Sequence, residues 1–208
     1  MKLKMPYGIS NYEELITENY YYVDKTKYIE KIENLPEKRI MFLRPRKFGK
    51  TLFTSVLENY YDKNKADKFE NLYGNTYIGK NPTKLKNSYC ILRFNFSGIN
   101  TENEESTMKG FKNRTIKSIK VFIERYGLDF YINDDYEAED ILDDIFKAFY
   151  IQKPKEKIYV IIDEYDHFAN ELLGFHPEHF KNLVSKNGRV RKWYEVLKEG
   201  TETVVDRI

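Results

Sequence analysis

Residues 39–60 carry the feature that most constrains the fold: a short apolar run, a basic loop ending in Gly49-Lys50-Thr51, and an amphipathic stretch. The apolar run, residues 40–43, is typical of a short strand buried on both faces of a parallel sheet. The apolar residues after the loop recur at helical spacing. They are Leu52, Phe53, Val56, Leu57 and Tyr60. The sequence therefore predicts a strand, a phosphate-binding loop and a helix, in that order.

The loop fits the pattern G-x-x-x-x-G-K-[ST] except at its first position, where Arg44 replaces glycine. In that pattern, backbone N–H groups point at phosphate oxygens, the lysine reaches the terminal phosphates and the hydroxyl ligates Mg²⁺. Pro45 fixes its own φ angle and offers another route to the sharp turn that glycine normally provides. The predicted nucleotide-binding residues are Arg44, Arg46, Lys47, Phe48, Gly49, Lys50, Thr51 and Leu52. For Arg46 and Lys47, the alternative is a solvated basic loop.

Three further apolar segments predict strands. Residues 89–96 alternate apolar and polar, residues 157–162 run directly into Asp163 and Glu164, and residues 204–208 resemble the approach to a fourth strand. Helical patterns separate these segments, so we expect right-handed crossovers and a mostly parallel sheet with helices on both faces. This is an α/β fold of the three-layer sandwich type. The predicted helices after the loop cover residues 116–126, 136–149, 178–184 and 190–198.

Asp163 and Glu164 supply the second half of the predicted site. In an open parallel sheet, ligands bind beyond the carboxyl ends of the strands, and both this pair and the loop follow such ends. We expect Asp163 to hold Mg²⁺ together with Thr51, while Glu164 deprotonates the attacking water and Lys50 contacts the phosphates. Each motif alone is a weak signal. Their occurrence together, in this order, predicts binding of ATP with Mg²⁺.

Composition excludes several classes of function. With 35 Lys and Arg against 33 Asp and Glu, the net charge of +2 gives no global attraction to nucleic acid or to anionic membranes. The single cysteine, Cys90, excludes an intrachain disulfide and a cysteine-based zinc site, and it fits a reducing cytoplasm. No segment approaches the roughly 18 apolar residues that span a bilayer. We expect a cytoplasmic protein without a membrane partner, and the sequence leaves its oligomeric state open.

Several other residues admit two interpretations. The N-K-x-D pattern at residues 64–67 precedes the Asp163 strand, whereas a guanine-reading element follows it, so we interpret it as coincidence. Asp166 and His167 suit a γ-phosphate sensor or, alternatively, a helix cap facing solvent. Arg189 or Arg191 suits an arginine finger or, alternatively, the solvated start of a helix.

Three segments together resemble a known family. They are Tyr-Tyr-Val-Asp-Lys-Thr at residues 21–26, the loop at residues 44–51 and Ile-Asp-Glu-Tyr-Asp at residues 162–166. They resemble the AAA-ATPase-like family of prokaryotic proteins over nearly the whole chain. The resemblance implies a P-loop NTPase with an additional strand between the Walker A and Walker B motifs, which residues 89–96 match. It also implies that Arg44 belongs to that family's own loop pattern.

Members of that family typically carry a PD-(D/E)XK nuclease-like domain after the ATPase part. The resemblance implies that this chain is the N-terminal part, with a lead-in and helix at residues 1–38 and a P-loop NTPase domain at 39–208, truncated before the sensor strand. ATP hydrolysis would then drive or gate a C-terminal effector, through which nucleic acid would bind. The alternatives are a nucleotide-binding or scaffold module that does not hydrolyse, and direct nucleic-acid binding through the basic segments, which the +2 charge disfavours.

Overall fold

The computed structural model describes residues 3–43, 45, 47–165, 170, 172–174, 177–185 and 188–208. The chain divides into two compact units, Met1–Ile91 and Leu92–Ile208, called here the first and second units. None of the helices in these described ranges has the length and apolar character needed to cross a bilayer.

The first unit is helical. Helix α1 begins after Asn11, whose side chain accepts a hydrogen bond from the Glu14 N–H group and so satisfies one exposed donor of the first turn. The elements are α1 at Tyr12–Thr17, α2 at Lys27–Glu33, α3 at Lys50–Tyr61, a 3₁₀ segment at Lys63–Lys68, α4 at Phe69–Tyr73 and α5 at Tyr77–Lys80.

Tyrosines form much of the core of the first unit. The rings of Tyr12 and Tyr73 lie 5.1 Å apart and those of Tyr60 and Tyr73 5.6 Å apart, and all three side chains are fully buried. Their hydroxyls find partners, because Tyr12 donates to the Leu72 carbonyl at 2.8 Å and Tyr73 to the Val56 carbonyl at 2.6 Å. Burial accordingly raises the pKa of Tyr73 well above its ordinary value. These tyrosines are core residues and are not available for stacking on bases.

Two sequence predictions for the first unit are wrong. Residues 40–43 form no strand, and Met41 and Leu43 are 68% and 70% exposed, whereas a central strand would bury them. A central strand is covered by strands on both sides, and within the described residues no strand pairs with this run. The polar composition of residues 61–87 predicts a connector with at most one short helix, but this stretch holds both α4 and α5, with Leu72 and Ile78 buried.

The second unit contains the sheet. Its strands are β1 at Tyr89–Asn95, which begins at the end of the first unit, β2 at Lys157–Asp163 and β3 at Val205–Arg207, in the spatial order β1-β2-β3. Strands β2 and β3 are parallel, with Ile158 opposite Val205. The prediction of an α/β fold with a parallel sheet is confirmed. The three-layer arrangement and the boundary at residues 38 and 39 stay predictions.

Helices connect these strands. They are α6 at Glu104–Tyr126, α7 at Ala138–Gln152, α8 at Pro177–Val184 and α9 at Arg189–Gly200, and α7 packs against both α6 and α9. Helix α6 starts twelve residues before the predicted helix, because Asn103 and Ser106 form a reciprocal capping box. It ends at Gly127, whose φ of 62° lies in the left-handed region.

An aromatic cluster joins strand and helices in the second unit. Trp193 of α9 meets Phe94 of β1 at 4.9 Å and Phe111 of α6 at 5.4 Å between ring centroids, and all three are fully buried.

We expect Trp193→Ala to lower the free energy of unfolding of this unit by about 3–5 kcal/mol, because it leaves a cavity in the cluster. Urea unfolding followed by far-UV circular dichroism measures the change. Tyr150→Ala, at a 59% exposed aromatic on α7, is the control and should cost far less.

Candidate functional site

The phosphate-loop motif has a backbone suited to anions. The Pro45 carbonyl accepts a hydrogen bond from the Phe48 N–H group at 3.4 Å, and Lys47 and Gly49 have φ angles of 66° and 76°. Helix α3 begins immediately afterwards, at Lys50. A left-handed residue followed by a right-handed one turns successive N–H groups towards one side, which is the geometry of an anion-binding nest. Gly49 followed by the helical Lys50 has this sequence of backbone conformations.

Gly49 satisfies a conformational need. A Cβ atom built there meets nothing within 4 Å, so packing does not require glycine. The φ of 76° favours glycine, since the left-handed conformation costs a residue with a side chain roughly 1–2 kcal/mol. Lys47 also lies in this region, at φ 66°, and its backbone is therefore strained. Strain of this kind clusters at ligand-binding segments.

The start of α3 is positively polarised. Gly49 has no side chain to cap the helix, and its first turn holds no acidic residue. The first N–H groups of a helix and its dipole together attract anions. Lys50, Thr51 and Leu52 are half-buried here, whereas Lys47 and Phe48 are exposed. Arg44 and Arg46 lie outside the described residues.

Helix α3 is held firmly behind this turn. The Ser55 hydroxyl accepts a hydrogen bond from the Tyr12 N–H group at 2.9 Å, and Phe53 stacks on Phe42 with ring centroids 5.2 Å apart. Val56 is fully buried. The rigid body of the helix thus fixes the direction in which Lys50 and Thr51 leave its first turn.

The acidic motif lies at the end of β2. Asp163 is buried, and its backbone carbonyl accepts a hydrogen bond from the Phe96 N–H group at 3.3 Å. Its Oδ1 accepts from the Glu164 N–H group at 3.1 Å, and its Oδ2 accepts from the Arg93 guanidinium at 3.0 Å. Glu164 follows with φ 54°, which turns the chain sharply off the strand and leaves the residue half-buried. A buried carboxylate and a half-exposed one therefore stand side by side.

Sequence reasoning missed Arg93. It lies on β1, whose other residues are mostly apolar and buried. The Arg93 side chain is 24% exposed, and that of its partner Asp163 is 6% exposed. A charged residue inside an apolar strand needs a counter-charge close by. That requirement was visible in the sequence, but only the sheet identifies Asp163 as the partner.

The other candidate residues have structural partners. Asp24 accepts hydrogen bonds from the N–H groups of Thr26 at 2.8 Å and Tyr77 at 2.7 Å, and the buried Thr26 hydroxyl accepts from the Ile78 N–H group at 3.1 Å. The motif at residues 21–26 thus holds the start of α5. The sequence favours Asp24 as the N-cap of α2, because a carboxylate can accept from the free N–H groups of a first turn, but Thr26 occupies that position.

Two arginines of α9 are ion-paired on the surface. Arg189 pairs with Glu137, and Arg191 pairs with Glu195 at 3.0 Å. These exposed pairs agree with the solvated helix start rather than with an arginine finger. Asp166 and His167 lie outside the described residues. Within the described ranges, no group of three or more His, Cys, Asp or Glu side chains could hold a metal ion.

The N-K-x-D pattern lies in the 3₁₀ segment, where Lys65 and Lys68 both pair with Glu13 of α1. Hydrogen bonds from Lys65 and then Lys68 hold the pKa of the Glu13 carboxyl below its ordinary value. This contact links α1 to the 3₁₀ segment.

We expect Glu13→Gln to lower the free energy of unfolding at neutral pH, by less than about 1 kcal/mol because the pair is partly exposed. A depressed pKa stabilises the fold above the ordinary value of 4.5, and the contribution disappears as pH falls through the folded-state pKa. Wild type and variant should therefore converge in acid. Denaturant unfolding across that pH range measures this, and Glu14→Gln, on an exposed neighbour, should show no such convergence.

A comparison with known families matches residues 6–208 to the AAA-ATPase_like family, described as "Predicted AAA-ATPase". The chain belongs to this family, and an ATPase-like, nucleotide-binding role follows from that membership. No curated protein and no solved structure matches the chain significantly.

Proposed function

We propose that this chain binds ATP with Mg²⁺ and hydrolyses it. The observation that carries the proposal is the left-handed Gly49 at the start of α3, which has no side-chain cap and no acidic residue in its first turn. Family membership supports ATP as the nucleotide. In this proposal Gly49, Lys50 and Thr51 bind the phosphates, and the loop residues Arg44, Arg46, Lys47, Phe48 and Leu52 surround them.

The chemistry of Asp163 fits Mg²⁺. Mg²⁺ prefers oxygen ligands and is usually bound by one or two carboxylates together with substrate phosphates, so a larger acidic cluster is not required. Asp163 would hold the ion with Thr51, and the half-buried Glu164 would orient and deprotonate water. When bound, Mg²⁺ would neutralise charge on the phosphate oxygens.

Hydrolysis would drive or gate an effector of the nuclease-like class, and nucleic acid would bind through that effector. This part of the proposal rests on the family resemblance alone.

Calorimetric titration tests the proposal. ATP with Mg²⁺ should bind the chain saturably at one site and more tightly than GTP. Chelation of Mg²⁺ should weaken binding, because the ion that Asp163 would hold is then removed. Absence of both binding heat and a shift in melting temperature with either nucleotide would overturn the proposal.

A further inference from the structure

Both oxygens of the Asp163 carboxylate are already engaged. Oδ1 accepts from the Glu164 backbone and Oδ2 from the Arg93 guanidinium at 3.0 Å. The Asp163 side chain is only 6% exposed. Removal of the partner of so buried a charge is strongly destabilising, so Arg93 supplies the counter-charge that Asp163 needs.

The same contact opposes a metal ion. A divalent cation approaching Oδ2 would meet the guanidinium charge, at a distance where repulsion is strong in a partly desolvated site. The backbone of Arg93 is fixed in β1, but its side chain is 24% exposed and therefore has an outlet to solvent. The arginine can leave Asp163 only by moving its side chain.

We propose that Arg93 is a resident counter-ion that prevents Asp163 from binding a divalent cation alone. The inference rests on the proposed role of Asp163 as the cation ligand. Arg93 releases the carboxylate when the cation arrives with phosphates, because their negative charge offers the guanidinium another partner. The cation and the nucleotide therefore enter together. Arg93 is a positioning residue in this scheme.

Mn²⁺ titration without nucleotide, followed by electron paramagnetic resonance of the free ion, tests the inference. We expect Arg93→Gln to bind Mn²⁺ at least about tenfold more tightly than wild type, since one opposing unit charge is removed. The matched control is Arg191→Gln, which breaks an ion pair of the same 3.0 Å length between side chains that are 46% and 50% exposed. It should leave Mn²⁺ affinity unchanged.

Stability gives a second readout. Arg93→Gln should melt below wild type because Asp163 loses its counter-charge, and Mn²⁺ should restore most of the loss. Arg93→Gln/Asp163→Asn should not respond to Mn²⁺. Trp193, the only tryptophan and fully buried in the second unit, reports this unfolding by fluorescence. If Arg93→Gln is unfolded without metal, the proposal requires Mn²⁺ to refold it, and failure to refold would overturn the proposal.

The outcomes separate this inference from the proposed function. Equal Mn²⁺ affinity in wild type and Arg93→Gln would overturn the counter-ion role even if wild type binds ATP with Mg²⁺. A gain of Mn²⁺ affinity in Arg93→Gln would support the counter-ion role even if calorimetry detects no nucleotide binding to wild type, which would overturn the proposed function alone.

Discussion

Lys50→Ala should abolish the rise in melting temperature that ATP with Mg²⁺ gives the wild-type chain. A ligand at about a hundredfold excess over its Kd stabilises the folded state by about 2.7 kcal/mol, which for a chain of this size is about 5–10 °C. Without the ammonium group, the start of α3 keeps its backbone donors but loses the charge that reaches the terminal phosphates. Phosphate release should fall at least about a hundredfold.

Two features keep this test specific. Alanine is a good helix former, so α3 should begin as before and the melting temperature without nucleotide should change little. Lys80→Ala removes an exposed lysine at the end of α5 in the same unit and should behave as wild type. A full ATP-dependent shift in Lys50→Ala would contradict the assignment of the loop.

Glu164→Gln should retain nucleotide binding and lose hydrolysis. The amide keeps the size of the side chain, and glutamine meets the same steric restriction as glutamate at the φ of 54°, so the turn after β2 should persist. A general base typically contributes about 10²–10⁴-fold to the rate, and phosphate release should fall by that amount while the calorimetric Kd stays within a few fold.

This variant also separates the two functions that the sequence leaves open. If wild type binds ATP and releases no phosphate, and Glu164→Gln is indistinguishable from it, the chain is a nucleotide-binding module that does not hydrolyse. Glu178→Gln is the control, because that side chain is 78% exposed on α8 and pairs only with Lys181 among the described contacts. It should hydrolyse as wild type does.

Strands β1 and β2 were predictable because each one joins a strong local pattern to a clear ending. Strand β1 alternates until Ser97-Gly98, and β2 is a continuous apolar run that ends in carboxylates. Periodicity of this kind depends on which side chains face the core and needs no knowledge of the partner strand.

Residues 40–43 show the limit of that reasoning. The run has the composition of a buried strand, yet burial depends on what lies beside it, and Met41 and Leu43 are largely exposed. Helices α4 and α5 were missed for a different reason. Helices of four and five residues are too short to display a period, and their burial comes from contacts such as that between Thr26 and Ile78.

The candidate site also contains residues that the sequence predicts and one residue that it does not. Gly49, Lys50 and Thr51 and the acidic pair are visible as spacings along the chain, and the left-handed φ at Gly49 agrees with its place in the motif. Arg93 is not visible as a spacing, because it reaches Asp163 across two adjacent strands that are seventy residues apart in sequence. Contacts across a sheet of this kind require the strand order, which the sequence alone does not provide.

The buried thiol of Cys90 has a practical consequence. It is the one cysteine of the chain, it lies on β1, and it is fully shielded from solvent. A thiol reagent can therefore modify it only when the strand opens, and the rate of labelling under native conditions measures the free energy of that opening. The labelling rate of Cys90 therefore reports the opening of strand β1, and it can be compared with and without nucleotide.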